Sequence, residues 1–293
     1  MESLAQVGSV VLMNTFTDNP STTLVIGGHG KTGKRVAERL AAAGRATRVV
    51  SRSTDVPFDW HDESTWGPAL AGTSSAYVTF QPDITVPGAL EILTAFAATG
   101  REHGLDHIVL LSGRGEEQAQ ASEVAVAASG VKTTIVRCAF FAQNFSEGFL
   151  SDEVQDGVFA LPAGDVTEPI VDIDDVADVA VSALLGQIPT GRAYECTGPE
   201  LLTFHDMAVD LSKATGRTIT YLPVDTQEYT VAAAAAGVPA DEAEMLGELF
   251  AHIFDGHNSS LGSGIQEALN RPARSFADFA SQAATTGVWD RVL

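Results

Sequence analysis

Cysteine is scarce in this chain: of 293 residues, only Cys138 and Cys196 carry thiols. Two isolated cysteines build neither a disulfide framework nor a zinc spacing, and such usage suits the cytoplasm. Basic residues are outnumbered 17 to 38 by acids, leaving a net charge of −21. That balance repels nucleic-acid phosphates and anionic membrane surfaces, so neither is expected as a partner. No apolar run approaches the roughly 20 residues that cross a bilayer. Val7–Met13 is apolar, but Met1–Pro20 has no basic n-region, so no signal peptide is expected. Residues 1–22 read as a loosely attached extension, with Met13 as an alternative start. His252 and His257 are not at a metal-ligand spacing, and no metal is expected.

The glycines, by contrast, are informatively placed. A short apolar strand ends at Ile26, and Gly27, Gly30 and Gly33 follow in LVIGGHGKTG. Val36, Leu40 and Ala43 then supply the apolar face of a helix. Glycines at this spacing let the chain turn sharply, bring backbone N–H groups against a pyrophosphate and leave room for helix–sheet packing. Gly28, Gly30 and Gly33 fit the same pattern in a second register. Gly30-Lys31-Thr32 imitates the end of an ATP-binding P-loop, but that motif requires glycine where Val25 stands. About twenty residues on, where a dinucleotide fold reads the adenosine ribose, VVSRS places Arg52 in place of an acid. The combination predicts a 2′-phosphorylated cofactor, NADP(H). Lys31, Lys34, Arg35, Arg39, Arg45, Arg48 and Arg52 also bunch in this first unit. They suggest a local positive site, although solvated helix faces would account for most of them singly.

Strand patterns recur at Thr23–Gly27, Thr47–Ser51, Ala76–Phe80, His107–Ser112 and Thr133–Arg137. Helical patterns near 31–43, 63–71, 87–103 and 116–129 separate them. This alternation predicts an α/β fold, a Rossmann-type doubly wound parallel sheet with ligands along one edge. After Phe140 the rhythm changes, with strands expected at Val158–Leu161, Pro169–Ile173 and Thr218–Leu222, and a smaller C-terminal α/β lobe should follow. Helices are expected from Asp174 through Leu185, capped by Asp174 or Asp175, and at 203–215, 225–236, 239–254 and 274–286. The division is 1–22 extension, 23–165 nucleotide-binding domain and 166–293 substrate lobe, with parts of the lobe packing back on the first domain. Thr203 and Asp206 form an approximate capping box.

The strand–GGHGKTG–helix unit, VVSRS, HIVLLSG, TTIVRCAFFAQNF, PIVDIDDVADVA and AYECTGPELLTF resemble the NmrA-like branch of atypical short-chain dehydrogenases, from about residue 23 to Phe279. FDWHDESTW, Gly237-Val238-Pro239 and SFADFA most resemble the clavine dehydrogenases of ergot alkaloid biosynthesis. The resemblance implies that Gly27, Gly30, Lys31, Thr32 and Gly33 hold the pyrophosphate. Ser51 and Arg52, with Ser53, would hold the 2′-phosphate. It places Asp59 where a third strand approaches adenine, Phe80-Gln81-Pro82 beside the nicotinamide ribose, and Ser112 at the hydride-transfer edge. His29 stands where the clavine enzymes carry Arg, which leaves its phosphate contact in doubt. Read structurally instead, Asp59 caps the helix near Asp62, His29 is a solvent-facing turn residue, and Ser112 ends its strand.

An ordinary short-chain dehydrogenase carries Tyr-x-x-x-Lys on the helix after the serine strand. Here that helix, Glu116 to Gly130, has neither residue, and its Glu123 reads as a solvated position. Without that acid, ketone reduction loses orders of magnitude, so an acceptor needing little proton help is expected. An iminium or imine and a quinone are such acceptors, and an acidic protein field favours a cationic iminium. Ser112 and Asn144 are the catalytic candidates. Phe140, Phe141, Asn144 and Phe145 would form one wall of an apolar pocket, with Tyr229, Met245, Phe250 and Phe254 opposite. For the C-terminal aromatics, membership of the core is an equal reading. The expected function is NADPH-dependent reduction of a small apolar molecule. The alternatives are a nonenzymatic redox-sensing regulator of the NmrA type and a non-redox catalyst such as an isomerase. A homodimer stays open.

Overall fold

The computed structural model describes residues 22–290. The expected extension therefore lies outside the described residues, except for Thr22, which opens the first strand. The nucleotide-binding half runs β1 (Thr22–Ile26), α1 (Lys31–Ala42), β2 (Thr47–Val50), α2 (Trp66–Leu70), β3 (Thr73–Val78), α3 (Ala89–Glu102), β4 (His107–Gly113), α4 (Glu117–Ala128) and β5 (Lys132–Cys138). There follow α5 (Ser151–Asp156), β6 (Val158–Leu161), β7 (Thr167–Glu168), α6 (Ile173–Leu184) and β8 (Ala193–Cys196). The chain continues through β9 (Leu202–Thr203), α7 (Phe204–Thr215), β10 (Thr220–Pro223), α8 (Thr226–Ala235), α9 (Ala240–Ile253), α10 (Gly264–Leu269) and α11 (Phe276–Thr285).

Six strands pair in the order β2-β1-β3-β4-β5-β8, every neighbour parallel. The order reverses at β1 and β3, which opens a crevice at their carboxyl ends. Residues alternate along the strands between two apolar layers. Leu24, Ile26, Leu110 and Ala76 join the layer with Phe96 of α3 and Val126 of α4. Val25, Val109, Val136 and Tyr77 join the opposite layer with Val36 and Leu40 of α1 and Val176 and Val179 of α6. With helices on both faces, the strands are apolar on both sides, hence their near-continuous hydrophobic runs.

A third core is aromatic and belongs to the lobe. Phe145, Phe159, Phe204, Phe250, Phe254, Phe276 and Trp289 pack together there. β6 and β10 form a parallel pair and β7 and β9 an antiparallel one. The sequential border at residue 165 is not a border in space. α6 and β8 return to the main sheet, whereas α5 and β6 already belong to the lobe.

Several boundaries differ from the sequence reading for identifiable reasons. The short strand Ala193–Cys196 lacks a pattern of its own and is held by pairing Ile135–Cys138. Pro169–Ile173 is no strand; only Val171 bridges Phe141, and the short pairing lies at Thr167–Glu168. Asp172 caps α6 by accepting from the Asp174 N–H at 2.8 Å. Asp174 and Asp175 are instead first-turn acids, and Asp175 is fully buried against Arg271 and Arg274. No third strand passes Asp59; Pro57 makes one isolated bridge to Ser51. Thr203 and Asp206 do form the reciprocal capping box.

Candidate active site

The crevice begins at the glycine loop. Gly27 adopts φ +69°, and a Cβ there would lie 2.6 Å from Thr79 Cγ2. Gly30 is the N-cap of α1, and no side chain caps that helix end. Its first-turn N–H groups are therefore open to an anion, with the helix dipole favouring negative charge. A Cβ on Gly33 would lie 2.3 Å from the Gly27 carbonyl oxygen, so only glycine lets α1 approach the turn this closely.

Beyond the loop lies a cavity of about 750 Å³ lined by Gly27, His29, Ser51, Arg52, Ser53, Asp59, Gln81 and Pro82 among others. Phe58, Trp60, His61 and Thr79 also line it and were not anticipated. Phe58 and Trp60 meet edge to face at 4.8 Å and give the pocket an apolar side. Asp62, not Asp59, caps the short 3₁₀ turn that precedes α2. The Asp59 carboxylate accepts from the His61 N–H at 3.0 Å. His29 is exposed at the rim.

The clustered basic residues mostly serve the fold. Arg35 pairs with Glu147 and Asp174, and Arg39 with Asp174 and Asp178. Arg45 donates to Thr23 Oγ1, Arg48 to the carbonyls of Ala69 and Ala71, and Lys34 faces Glu38. Lys31 sends Nζ to Asn144 Oδ1 at 2.9 Å, and burial lowers its pKa. Lys31 and the buried Thr32 both place backbone N–H groups in the uncapped first turn of α1, open to a pyrophosphate. Among the described residues, no carboxylate pairs with Arg52, which remains exposed on the cavity wall beside Ser51 and Ser53. An anionic group fits here. Its cradle is the uncapped helix end, a loop that a Cβ would fill, and one uncommitted guanidinium.

A second cavity of about 580 Å³ shares Thr79 and Pro82 with the first and opens towards the lobe. Phe80, Ser112, Phe140, Phe141, Asn144, Tyr229 and Phe250 line it, as does Phe149, which the sequence reading passed over. Phe80 thus lines this second cavity and not the crevice beside the glycine loop. Phe250 meets Tyr229 at 5.3 Å with rings nearly perpendicular. Three expected wall residues are elsewhere. Phe145 is fully buried in the lobe core, 5.2 Å from Phe276 and 5.3 Å from Phe159. Met245 is 51% exposed, because helical rotation aims its neighbours Leu246, Leu249, Phe250 and Ile253 at the cavity. Phe254 is core, stacked on Phe250.

Glu123 is the clearest correction to the sequence reading. It is 3% exposed, accepts from Ser112 Oγ at 2.7 Å and is clamped by Arg137 through Nε at 3.0 Å and Nη2 at 2.5 Å. Arg137 also reaches Glu195 at 2.9 Å. Strand register explains this: Ser112 and Arg137 are partners on β4 and β5, facing α4 together. Two other acids, absent from the sequence reading, do line the second cavity. Burial pushes both Glu116 and Glu168 up to about 7, with Asp83 adding to the shift at Glu116. An acid just past the Ser112 strand, and another before the apolar PIV, were the available signals.

No protein-family model matches the sequence. The chain is 32% identical over 288 residues to a (4-alkanoyl-5-oxo-2,5-dihydrofuran-3-yl)methyl phosphate reductase of Streptomyces griseus, covering 89% of this chain and 97% of the relative. It is 29% identical over 287 residues to agroclavine dehydrogenase of Claviceps fusiformis, covering 92% and 98%. Its fold matches the Citrobacter triphenylmethane reductase complexed with NADP(H) at a TM-score of 0.75 and 20% identity, over 90% and 99% of the two chains. Together with the glycine loop, the doubly wound sheet and the lobe over its edge, these relationships show that the chain belongs to the NmrA-like family of atypical short-chain dehydrogenases/reductases.

Proposed function

We propose that the protein is an NADPH-dependent oxidoreductase that reduces a small, largely apolar acceptor, an imine, iminium or quinone, in the cavity between sheet and lobe. The observation that carries this reading is the junction at Thr79 and Pro82, where an anion-accepting crevice meets an aromatic-walled cavity. The reductase of Streptomyces griseus and the dehydrogenase of Claviceps fusiformis support the reaction type. When bound, the reduced nicotinamide supplies the electron pair and a hydrogen.

The chain's own residues bind, orient and exclude water. Gly27, Gly30 and Gly33 admit a pyrophosphate to the helix end, and Arg52 with Ser51 and Ser53 grips a 2′-phosphate through several donors. Phe140, Phe141, Tyr229 and Phe250 form a low-dielectric wall, in which Asn144 offers a polar handle fixed by Lys31. Ser112 positions α4 against the sheet, because its hydroxyl proton is committed to Glu123. The lobe elements within residues 166–293 supply Tyr229, Leu246 and Phe250 to the substrate wall, aided by Phe140, Phe141 and Phe149. A cytoplasmic location accords with the two unpaired thiols, both buried.

NADPH and NADH titrations, followed by NADPH absorbance against quinones and cyclic imines, test the reading. Preferential NADPH binding and oxidation by at least one acceptor class are expected. Tight NADPH binding with no oxidation by any acceptor would favour the redox-sensing regulator.

A further inference from the structure

The site lacks the usual acid, yet its cavity contains two carboxyl groups that each bury one oxygen without a hydrogen-bond partner among the described residues. Glu116 Oε2 and Glu168 Oε1 are both buried and accept no hydrogen bond among the described residues. Both residues line the apolar cavity. A buried, unpartnered carboxylate is costly and stays only where burial leaves it protonated or where function retains it.

We propose that Glu116 is the proton donor of this site, serving neutral acceptors that need a proton when they take up an electron pair. This rests on the reductase reading above. Position distinguishes Glu116 from its neighbours. It follows β4 directly, and a Cβ on Gly113 would lie 2.9 Å from Glu116 Oε2, so the carboxyl folds back over the strand end beside Ser112. Asp83, just past the Pro82 that joins crevice and cavity, faces it. Glu116 is half-buried, which leaves solvent a way to restore its proton. Glu168 is only 1% exposed and faces the Arg114 guanidinium and Asp255. His257 and Asn258 close the same side against Gly115. Tyr229 is the one other hydroxylic acid on the aromatic wall, and burial raises it to about 12, with no lysine positioned to lower it. A donor poised near 7 matches neutral operation far better.

The step balances. The acceptor gains two electrons and one hydrogen from the reduced nicotinamide, which is left oxidised. The Glu116 O–H bond breaks as an O–H bond forms on a quinone oxygen, or an N–H bond on an imine nitrogen. The resulting carboxylate recovers its proton from water.

The test pairs a binding readout with a kinetic one. In the first, 2,4-dinitrophenolate, an aromatic oxyanion standing for the reduced acceptor, is titrated into the protein without cofactor. The wild type should bind it about tenfold more tightly at pH 6 than at pH 8, since ionised Glu116 repels it. Glu116→Gln should lose most of that dependence. In the second, kcat for a neutral quinone should fall about 100-fold in Glu116→Gln with little change in KM, and Glu116→Asp should recover part of it. The loss should be smaller for an N-alkyl iminium, which needs no proton. NADPH affinity reports that each variant is folded. An intact pH dependence in Glu116→Gln, its transfer to Glu168→Gln or Tyr229→Phe, or equal losses with both acceptors overturns the proposal. If no acceptor oxidises NADPH, the reductase reading fails and the donor role falls with it, while the dinitrophenolate titration still shows whether Glu116 is the group that ionises in the cavity.

Discussion

Ser112 Oγ donates to Glu123 Oε1 at 2.7 Å, inside the interface between β4 and α4. A serine at the sheet edge and a glutamate on the following helix suggest an acid–base couple, but the Arg137 clamp makes Glu123 an acceptor already saturated by charge. The pair holds the helix on the sheet.

Glu123→Ala should therefore act on stability. It leaves Arg137 paired only with the more exposed Glu195, and the loss should be about 3 kcal/mol by urea denaturation. Ser112→Ala should cost about 1 kcal/mol. Turnover of the folded Ser112→Ala protein should stay within about tenfold of wild type, because its hydroxyl proton is not free to reach an acceptor.

Arg52→Ala should weaken NADPH binding about tenfold or more and leave NADH binding nearly unchanged, as measured by fluorescence titration. Every other basic residue of the first unit has a protein partner, so none can substitute. Equal loss for the two cofactors would place the 2′-phosphate elsewhere.

Gly33→Ala places its methyl against backbone, 2.3 Å from the Gly27 oxygen and 2.8 Å from the Gly27 carbonyl carbon. Backbone cannot rotate away as a side chain can, so the loop must shift. A loss of about 2 kcal/mol in stability is expected, with weaker binding of both NADPH and NADH.

Stability should respond to pH through groups of opposite sign. Glu168 is raised to about 7, so between the ordinary carboxylate range and pH 7 the native state keeps a proton that the unfolded chain has lost. Its contribution is full at low pH and declines as pH rises through that window. Glu168→Gln should accordingly raise Tm more at pH 8 than at pH 5. His107 is lowered to about 4 by burial, aided by Lys132, so the unfolded chain binds its proton first. Its contribution is full above pH 6.5 and is lost as pH falls towards 4. Replacing His107 with Gln should flatten that acid limb in thermal melts taken across the window.

Much of the architecture is legible without coordinates, since strand and helix periods are local properties. The glycine loop, Arg52 and the capping box at Thr203 are each written within a few residues, and the structure uses them locally. The errors arise where partners are remote in sequence. Arg35 looks like part of a phosphate site until Glu147, 112 residues away, is seen to accept from it. Phe145 and Phe250 read alike as aromatic wall, yet only Phe250 reaches the cavity.

The local order of residues thus settles the fold class and marks the glycine loop after β1 where a dinucleotide is proposed to bind. Hydrophobic periodicity and glycine sterics act over a few positions, and both are visible in the linear chain. The identity of the acid is a tertiary outcome. Glu116, Glu123 and Glu168 are the same side chain in sequence. Of these three, Arg137 clamps only Glu123, through strand register, while Glu116 and Glu168 each bury one oxygen without a hydrogen-bond partner among the described residues. Desolvation and charge pairing depend on what surrounds a carboxyl in space, and that environment exists only once the lobe has closed over the sheet.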